Sequence, residues 1–131
     1  GSGTIVAEAR AVGWTALGRD IDPDAVSIAR RNVRSARFEI GDARELPYDD
    51  ASIDAVVSNL PFGRQYTVDD QQGWQRAVLA EVARVTRPGG RVVLLVPSLP
   101  GSLIPAELRR QQRYPLRLLG TKTTIWVLER R

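Results

Sequence analysis

Asn59-Leu60-Pro61-Phe62 carries more chemical content than any other segment of this chain. An amino group on an aromatic ring is a sluggish nucleophile, because its lone pair is delocalised into the ring. Two acceptors can aim that lone pair: the Asn59 side-chain oxygen and a main-chain carbonyl, that of Leu60. Pro61 restricts the backbone of the residue before it. Phe62 offers a flat face on which a base can stack. Asn, Pro and Gly are also the default turn formers, so the segment by itself reads as a turn. Its position after an apolar strand gives it a functional reading.

Three further places would hold the reaction partner. Gly1-Ser2-Gly3-Thr4 runs directly into a helix, and a glycine loop before a free helix N-terminus suits a carboxylate or phosphate. Asp20 ends the next strand, where a carboxylate can accept both hydroxyls of a ribose. Ile21 and Asp22 follow it, with Asp22 better suited to capping the next helix. Asp42 follows the third strand, placed to accept from an adenine amino group while the Ala43 backbone pairs with the ring edge. As a set, Gly1, Gly3, Thr4, Asp20, Ile21, Asp22, Asp42 and Ala43, with Asn59 at the reacting end, describe an adenosine-containing ligand with an anionic tail. NAD fits that description equally, but gives no account of Asn59 to Phe62. A methyl sulfonium does. Displacement at its carbon needs positioning and charge arrangement more than a strong base, and the proton can leave after transfer, once the nitrogen is cationic.

Composition agrees. The chain has 131 residues, enough for one domain spanning 1–131, and contains neither His nor Cys. Imidazole, thiolate and zinc chemistry are therefore excluded, and no metal is expected. The net charge is +4, and 18 of the 19 basic residues are arginines, spread along the chain rather than clustered. That balance is compatible with a polyanionic partner. No apolar run is long enough for a membrane span and no secretory signal is seen, so a cytoplasmic location is expected. Methionine is absent, which marks a processed or excised piece.

The elements that must position these residues alternate. Helix is expected over Thr4–Val12, packed by Ile5, Ala9 and Val12. Trp14–Asp20 reads as a strand. Asp22-Pro23 opens a helix to about Ser35, with Ala25, Ile28, Ala29 and Val33 at helical spacing. Ala36–Ile40 and Ile53–Ser58 read as strands, and Arg64–Gly73 as an irregular, mobile substrate loop in which Arg64 can meet phosphate. Trp74–Thr86 is an amphipathic helix with Trp74, Val78, Val82 and Val85 on one face. Pro88-Gly89-Gly90 ends it. Arg91–Val96 reads as a strand buried on both faces, Ala106–Gln112 as a short helix, and Leu116–Leu119 with Thr124–Glu129 as an antiparallel hairpin. Such alternation predicts an α/β fold with a doubly wound, mostly parallel, Rossmann-like sheet. Every residue singled out above falls at or just after a strand's carboxyl end, where such sheets bind ligands.

Gly1-Ser2-Gly3-Thr4 with Glu8-Ala9, Asp20-Ile21-Asp22-Pro23, Gly41-Asp42-Ala43 and Asn59-Leu60-Pro61-Phe62-Gly63 together resemble the class I methyltransferase domain of the THUMP-associated RNA methylases, the tRNA guanine-N2 branch in particular. The resemblance covers nearly the whole chain. It implies S-adenosylmethionine as methyl donor, with Asp20 and Asp42 as ribose and adenine contacts. It implies Asn59 to Phe62 as the clamp on an exocyclic amine, guanine N2 in tRNA. Methylation of adenine in DNA, methylation of a protein glutamine, and a non-catalytic methyltransferase-like fragment are the alternatives. The family pattern places an apolar strand before the glycine loop and an RNA-binding THUMP domain further upstream, and here nothing precedes Gly1. The strands at Trp14–Asp20 and Ile53–Ser58 are thus expected to flank a gap with unpaired backbone groups, and RNA capture is expected to need an RNA-binding domain outside this chain.

Overall fold

A computed structural model describes residues 1–60 and 68–131, and the chain divides into two compact units, Gly1–Leu46 and Pro47–Arg131. The first contains α1 (Thr4–Ala11), β1 (Leu17–Asp20), α2 (Pro23–Asn32) and β2 (Arg37–Ile40). β1 and β2 pair in parallel, with Leu17 opposite Arg37 and Asp20 opposite Ile40. Asp22 and Pro23 start α2 as their types dictate: the Asp22 carboxylate accepts from the Asp24 N–H at 2.9 Å, and Pro23 occupies the first turn, where its missing N–H costs nothing. The unit closes on a small core of Val6, Val26, Ala29 and Phe38, flanked by Ala16, Val33 and Ala36.

Two helical faces differ from those expected. Val6 packs inward on α1, while Ile5 is 43% and Val12 72% exposed. Val26 packs inward on α2 and Ile28 is 41% exposed. Both helices are also shorter than their apolar patterns suggest, ending at Ala11 and Asn32, and β1 begins at Leu17 rather than Trp14. In short helices the face is set by what the neighbouring strands leave to cover, here the Phe38 ring, rather than by the helix's own periodicity.

The second unit contains β3 (Ile53–Asn59), α3 (Val68–Val85), β4 (Thr86–Leu95), a 3-10 turn at Gly101–Leu103, β5 (Leu108–Leu118) and β6 (Thr121–Arg130). Its sheet runs β3-β4-β6-β5, with β3 parallel to β4 and both β4 and β5 antiparallel to β6. Leu79, Val78, Val82, Val85, Val92, Leu94 and Leu128 are fully or almost fully buried and form its core. The helix-to-strand passage is locked by the buried Thr86 hydroxyl, which donates to the Val82 carbonyl at 2.6 Å. Pro88-Gly89-Gly90 falls in an irregularity of β4: pairing jumps from Ile53–Thr86 to Ala55–Arg91. A side chain at Gly90 would lie 2.7 Å from the Asp54 carbonyl oxygen, so only glycine permits that approach.

Three expectations change in this unit. α3 starts at Val68, so residues 68–73 are its opening turns rather than loop, while Arg64 lies outside the described residues. β4 is buried on one face only: Val92 and Leu94 are enclosed, and Val93 and Leu95 are half-buried. The stretch read as a short helix at Ala106–Gln112 is mostly strand, because β6 supplies a pairing partner along its whole length from Leu108. The hairpin itself is present, with a two-residue turn in which Leu119 (φ 48°) and Gly120 (φ 81°) both take positive φ, the requirement of a type I′ connection. The expected α/β architecture stands, but its strands are mixed rather than mostly parallel: β1–β2 and β3–β4 pair in parallel, while the long β5–β6 hairpin adds two antiparallel pairings. Among the described residues, β1 pairs only with β2 and β3 only with β4, so each sheet ends on an open edge at the two strands expected to flank a gap. No described helix is long and apolar enough to cross a membrane.

Candidate functional site

The first unit assembles most of the residues read as ligand-binding at one edge. Parallel pairing brings the ends of β1 and β2 side by side, and the Gly41 N–H donates to the Asp20 carbonyl at 3.0 Å. Asp20 and the Gly41-Asp42-Ala43 turn therefore leave the same carboxyl edge. The glycine loop lies against it: the Gly1 nitrogen is 2.5 Å from Asp20 Oδ2, and the Asp22 N–H donates to Asp20 Oδ1 at 2.9 Å. Asn32, from the last turn of α2, donates its side-chain amide to the Ser2 carbonyl at 3.1 Å and so holds the loop. The Thr4 and Ser2 hydroxyls are 3.2 Å apart.

Gly3 caps α1 at φ 94°, a left-handed conformation that L side chains rarely adopt. A side chain there would also meet the Phe38 ring at 3.2 Å and Val33 at 3.3 Å. Phe38 is the hidden support of this edge, because the same ring fills the space beside Gly18, where a Cβ would come within 2.4 Å of it. Sequence reasoning missed Phe38. The signal that could have found it is the lone glycine inside strand β1, which marks a close approach.

The carboxylates are tuned by their partners. Burial pushes the Asp20 pKa up, but hydrogen bonds from the terminal nitrogen and the Asp22 N–H outweigh it and hold the carboxyl below its ordinary value. Asp42 is held low chiefly by the Arg44 guanidinium, which approaches Oδ2 at 2.7 Å, and by the Arg44 N–H at 2.8 Å. Both groups are therefore anionic acceptors near neutrality. Arg44 is a second residue that sequence reasoning missed; an arginine two positions after a turn aspartate is its only sequence trace. Ile21 is 64% exposed beside them, and Ala43 is half-buried.

In the second unit, Asn59 ends β3 opposite Leu95 of β4, with an exposed side chain. The next residue is fixed: the Leu60 N–H donates to the Leu95 carbonyl at 3.1 Å, and the Leu60 side chain is 2% exposed. An amide thus stands at a carboxyl edge on a backbone anchored just beyond it. Pro61, Phe62 and Gly63 lie outside the described residues.

Comparison with known proteins bears on what these edges serve. Residues 1–94 match the family described as methyltransferase domain. The demethylmenaquinone methyltransferase of Deinococcus radiodurans is 46% identical over 83 residues, covering 60% of this chain and 32% of that protein. The fatty-acid O-methyltransferase of Mycolicibacterium smegmatis is 34% identical over 110 residues, covering 82% of this chain and 37% of that protein. The crystal structure of TrmN from Thermus thermophilus superposes with a TM-score of 0.85 at 27% identity, covering 99% of this chain and 41% of that one. The chain thus spans about a third of the length of the curated relatives it matches. These sequence relatives are named for quinone and fatty-acid methylation and not as THUMP-associated methylases, so the branch suggested by the motifs is narrower than the kinship shown. Taken with the fold and with the paired carboxylates at one sheet edge, the match places the chain in the methyltransferase-domain family, as a class I domain whose cofactor is S-adenosylmethionine.

Proposed function

We propose that this domain transfers the methyl group of S-adenosylmethionine to an exocyclic amino nitrogen of a nucleobase, guanine N2 of a tRNA being the first substrate to test. The observation that carries the reading is Asn59: a neutral amide at the carboxyl end of β3, exposed, and followed by an anchored, buried Leu60. An amide oxygen and a main-chain carbonyl accept hydrogen bonds from an NH2 and so localise its lone pair. They cannot remove a proton before attack. Amine methylation does not ask for that, since the nitrogen sheds its proton after transfer. In this reading the Gly1–Thr4 loop meets the amino-acid part of the cofactor, Asp20 accepts from its ribose, and Asp42 with Ala43 contacts its adenine. Asp22 stays a helix cap, and Ile21 packs against the ligand. Pro61 and Phe62 complete the amine clamp and the base stack.

A second reading rests on the 46% identity to a demethylmenaquinone methyltransferase. Methylating a quinol ring carbon would call for a base to raise electron density in the ring, and this chain has no imidazole or thiol to offer. The two readings separate in one assay. The chain is incubated with methyl-labelled S-adenosylmethionine and either total tRNA or a short-chain demethylmenaquinol. Label recovered as N2-methylguanosine after nuclease digestion supports the amine reading. Label in the quinone fraction alone overturns it.

A further inference from the structure

Arginines occur along the whole chain, but one stretch holds basic residues with no acidic ones, and its pairing lines them up. Between Leu108 and Leu128 the chain carries Arg109, Arg110, Arg113, Arg117 and Lys122 and no Asp or Glu. These five cations exceed the whole chain's net charge of +4, so the rest of the molecule is close to neutral. All of them lie on the β5–β6 hairpin. Opposed residues of an antiparallel pair share a face. The pairs Arg110–Leu128, Arg113–Trp126 and Arg117–Lys122 therefore put Arg110, Arg113, Arg117 and Lys122 on one side of the ribbon. Arg110 stacks on the Trp126 ring at 4.9 Å. Arg113, Arg117 and Lys122 are exposed.

The register fixes where the ribbon points. Asn59 pairs with Leu95, Leu95 with Ile125, and Ile125 with Tyr114. Asn59 and Tyr114 thus end one row across four strands, about 14 Å apart at ordinary strand spacing. β3 stops at that row, while β5 runs on from Pro115 to Leu118 in the same direction. The hairpin overhangs the sheet edge at which Asn59 stands by four residues, about 13 Å of strand.

Charge on an edge strand guards against unwanted pairing, but either sign serves that purpose. A single sign over twenty-one residues, arranged as a row on the Trp126 face of a hairpin that overhangs the edge where Asn59 stands on the other face, is what contact with a polyanion passing around that edge requires. We infer that the overhanging β5–β6 hairpin is an arm for the substrate's phosphate backbone, with Arg113, Arg117 and Lys122 holding successive phosphates while a base reaches Asn59. The inference rests on the nucleic-acid reading above and deepens it.

The test titrates fluorescein-labelled tRNA with the 131-residue chain at several salt concentrations, reading anisotropy. Three phosphate contacts contribute about two units to the slope of log affinity against log salt. Arg113→Glu/Arg117→Glu/Lys122→Glu should therefore flatten the slope by about two and weaken binding more than tenfold at low salt, whereas Arg113→Lys/Arg117→Lys should keep the slope. If charge reversal lowers the thermal midpoint, Arg113→Gln/Arg117→Gln replaces it and should flatten the slope by one to two. An unchanged slope in a folded variant overturns the inference. So does wild-type sedimentation with phosphatidylglycerol vesicles without tRNA binding, which would make the hairpin a lipid contact. Labelled-methyl transfer separates the two readings. Hairpin-dependent binding with no label in any nucleoside sinks the guanine reading and leaves the arm standing. Label in guanosine with an unchanged slope does the reverse.

Discussion

Gly18→Ala tests how the carboxyl edge of β1 and β2, the proposed cofactor edge, is built. A Cβ at Gly18 would lie 2.4 Å from Phe38 Cδ1, 2.6 Å from Cε1 and 3.1 Å from Val6 Cγ2. Separations below 3 Å cannot persist, so the ring must move. It is 7% exposed and is enclosed by Val6, Val26 and Ala29, so it cannot swing into solvent. Overpacking of this kind costs about 1–3 kcal/mol. Replacing glycine by alanine also returns about 0.4–1 kcal/mol of unfolded-chain entropy. The net expectation is a loss of about 1–2 kcal/mol. The displaced ring also supports Gly3, whose added Cβ would meet Phe38 Cζ at 3.2 Å, so the glycine loop should shift with it. S-adenosylmethionine affinity should then fall along with stability. Phe38→Leu removes the clashing ring edge, so Gly18→Ala/Phe38→Leu should be more stable than the sum of its parts predicts, with a coupling of about 1 kcal/mol. Denaturant unfolding and calorimetric titration read both effects. A Gly18→Ala protein as stable as wild type, or strict additivity with Phe38→Leu, would refute the shared-ring account.

Other expectations follow from single contacts. Asp22→Ala removes the cap on α2 and should cost about 1 kcal/mol by denaturant unfolding. Thr86→Val deletes the buried bond to the Val82 carbonyl and should cost about 0.5–1.5 kcal/mol. Leu119→Asn relieves a β-turn leucine at φ 48° and should raise the thermal midpoint. Asp20 and Asp42 have depressed native pKa values, so what they contribute is present above the unfolded carboxyl value of about 3.9 and is lost as pH falls through their lower folded values. Stability and cofactor affinity should accordingly hold from neutrality to about pH 4 and decline below it. Arg44→Ala should return the Asp42 carboxyl toward its ordinary range, as followed by carboxyl carbon NMR.

Local chemistry made the convergence of Asp20 and the Gly41-Asp42 turn at one carboxyl edge legible in the sequence. Asp22-Pro23 reads as a helix start, and that start is observed. The order of elements through β4 and the presence of a terminal hairpin were likewise readable, because a parallel pair needs a crossover and a hairpin does not; the hairpin's turn is Leu119-Gly120 rather than the stretch 120–123. What failed needed information from another strand. Arg109 to Gln112 are good helix formers, yet β6 offers them a ladder and they become β5. Val6 and Val26, rather than Ile5 and Ile28, face inward because Phe38 decides which side of each helix is covered. The basic stretch from Arg109 to Lys122 can be read in the sequence, but its shared face cannot, since only the Arg113–Trp126 and Arg117–Lys122 pairings line its members up. The open edges of β1 and β3 came from the motif resemblance, not from composition.

Asn59→Ala in single turnover is the most direct measurement of the central claim. With labelled S-adenosylmethionine and saturating tRNA, methyl transfer to guanosine should fall by two orders of magnitude or more, while cofactor affinity by calorimetry changes less than threefold. Near-normal transfer by that variant, or a cofactor affinity that collapses in step with the rate, would contradict the assignment of the Asn59 amide to the amine.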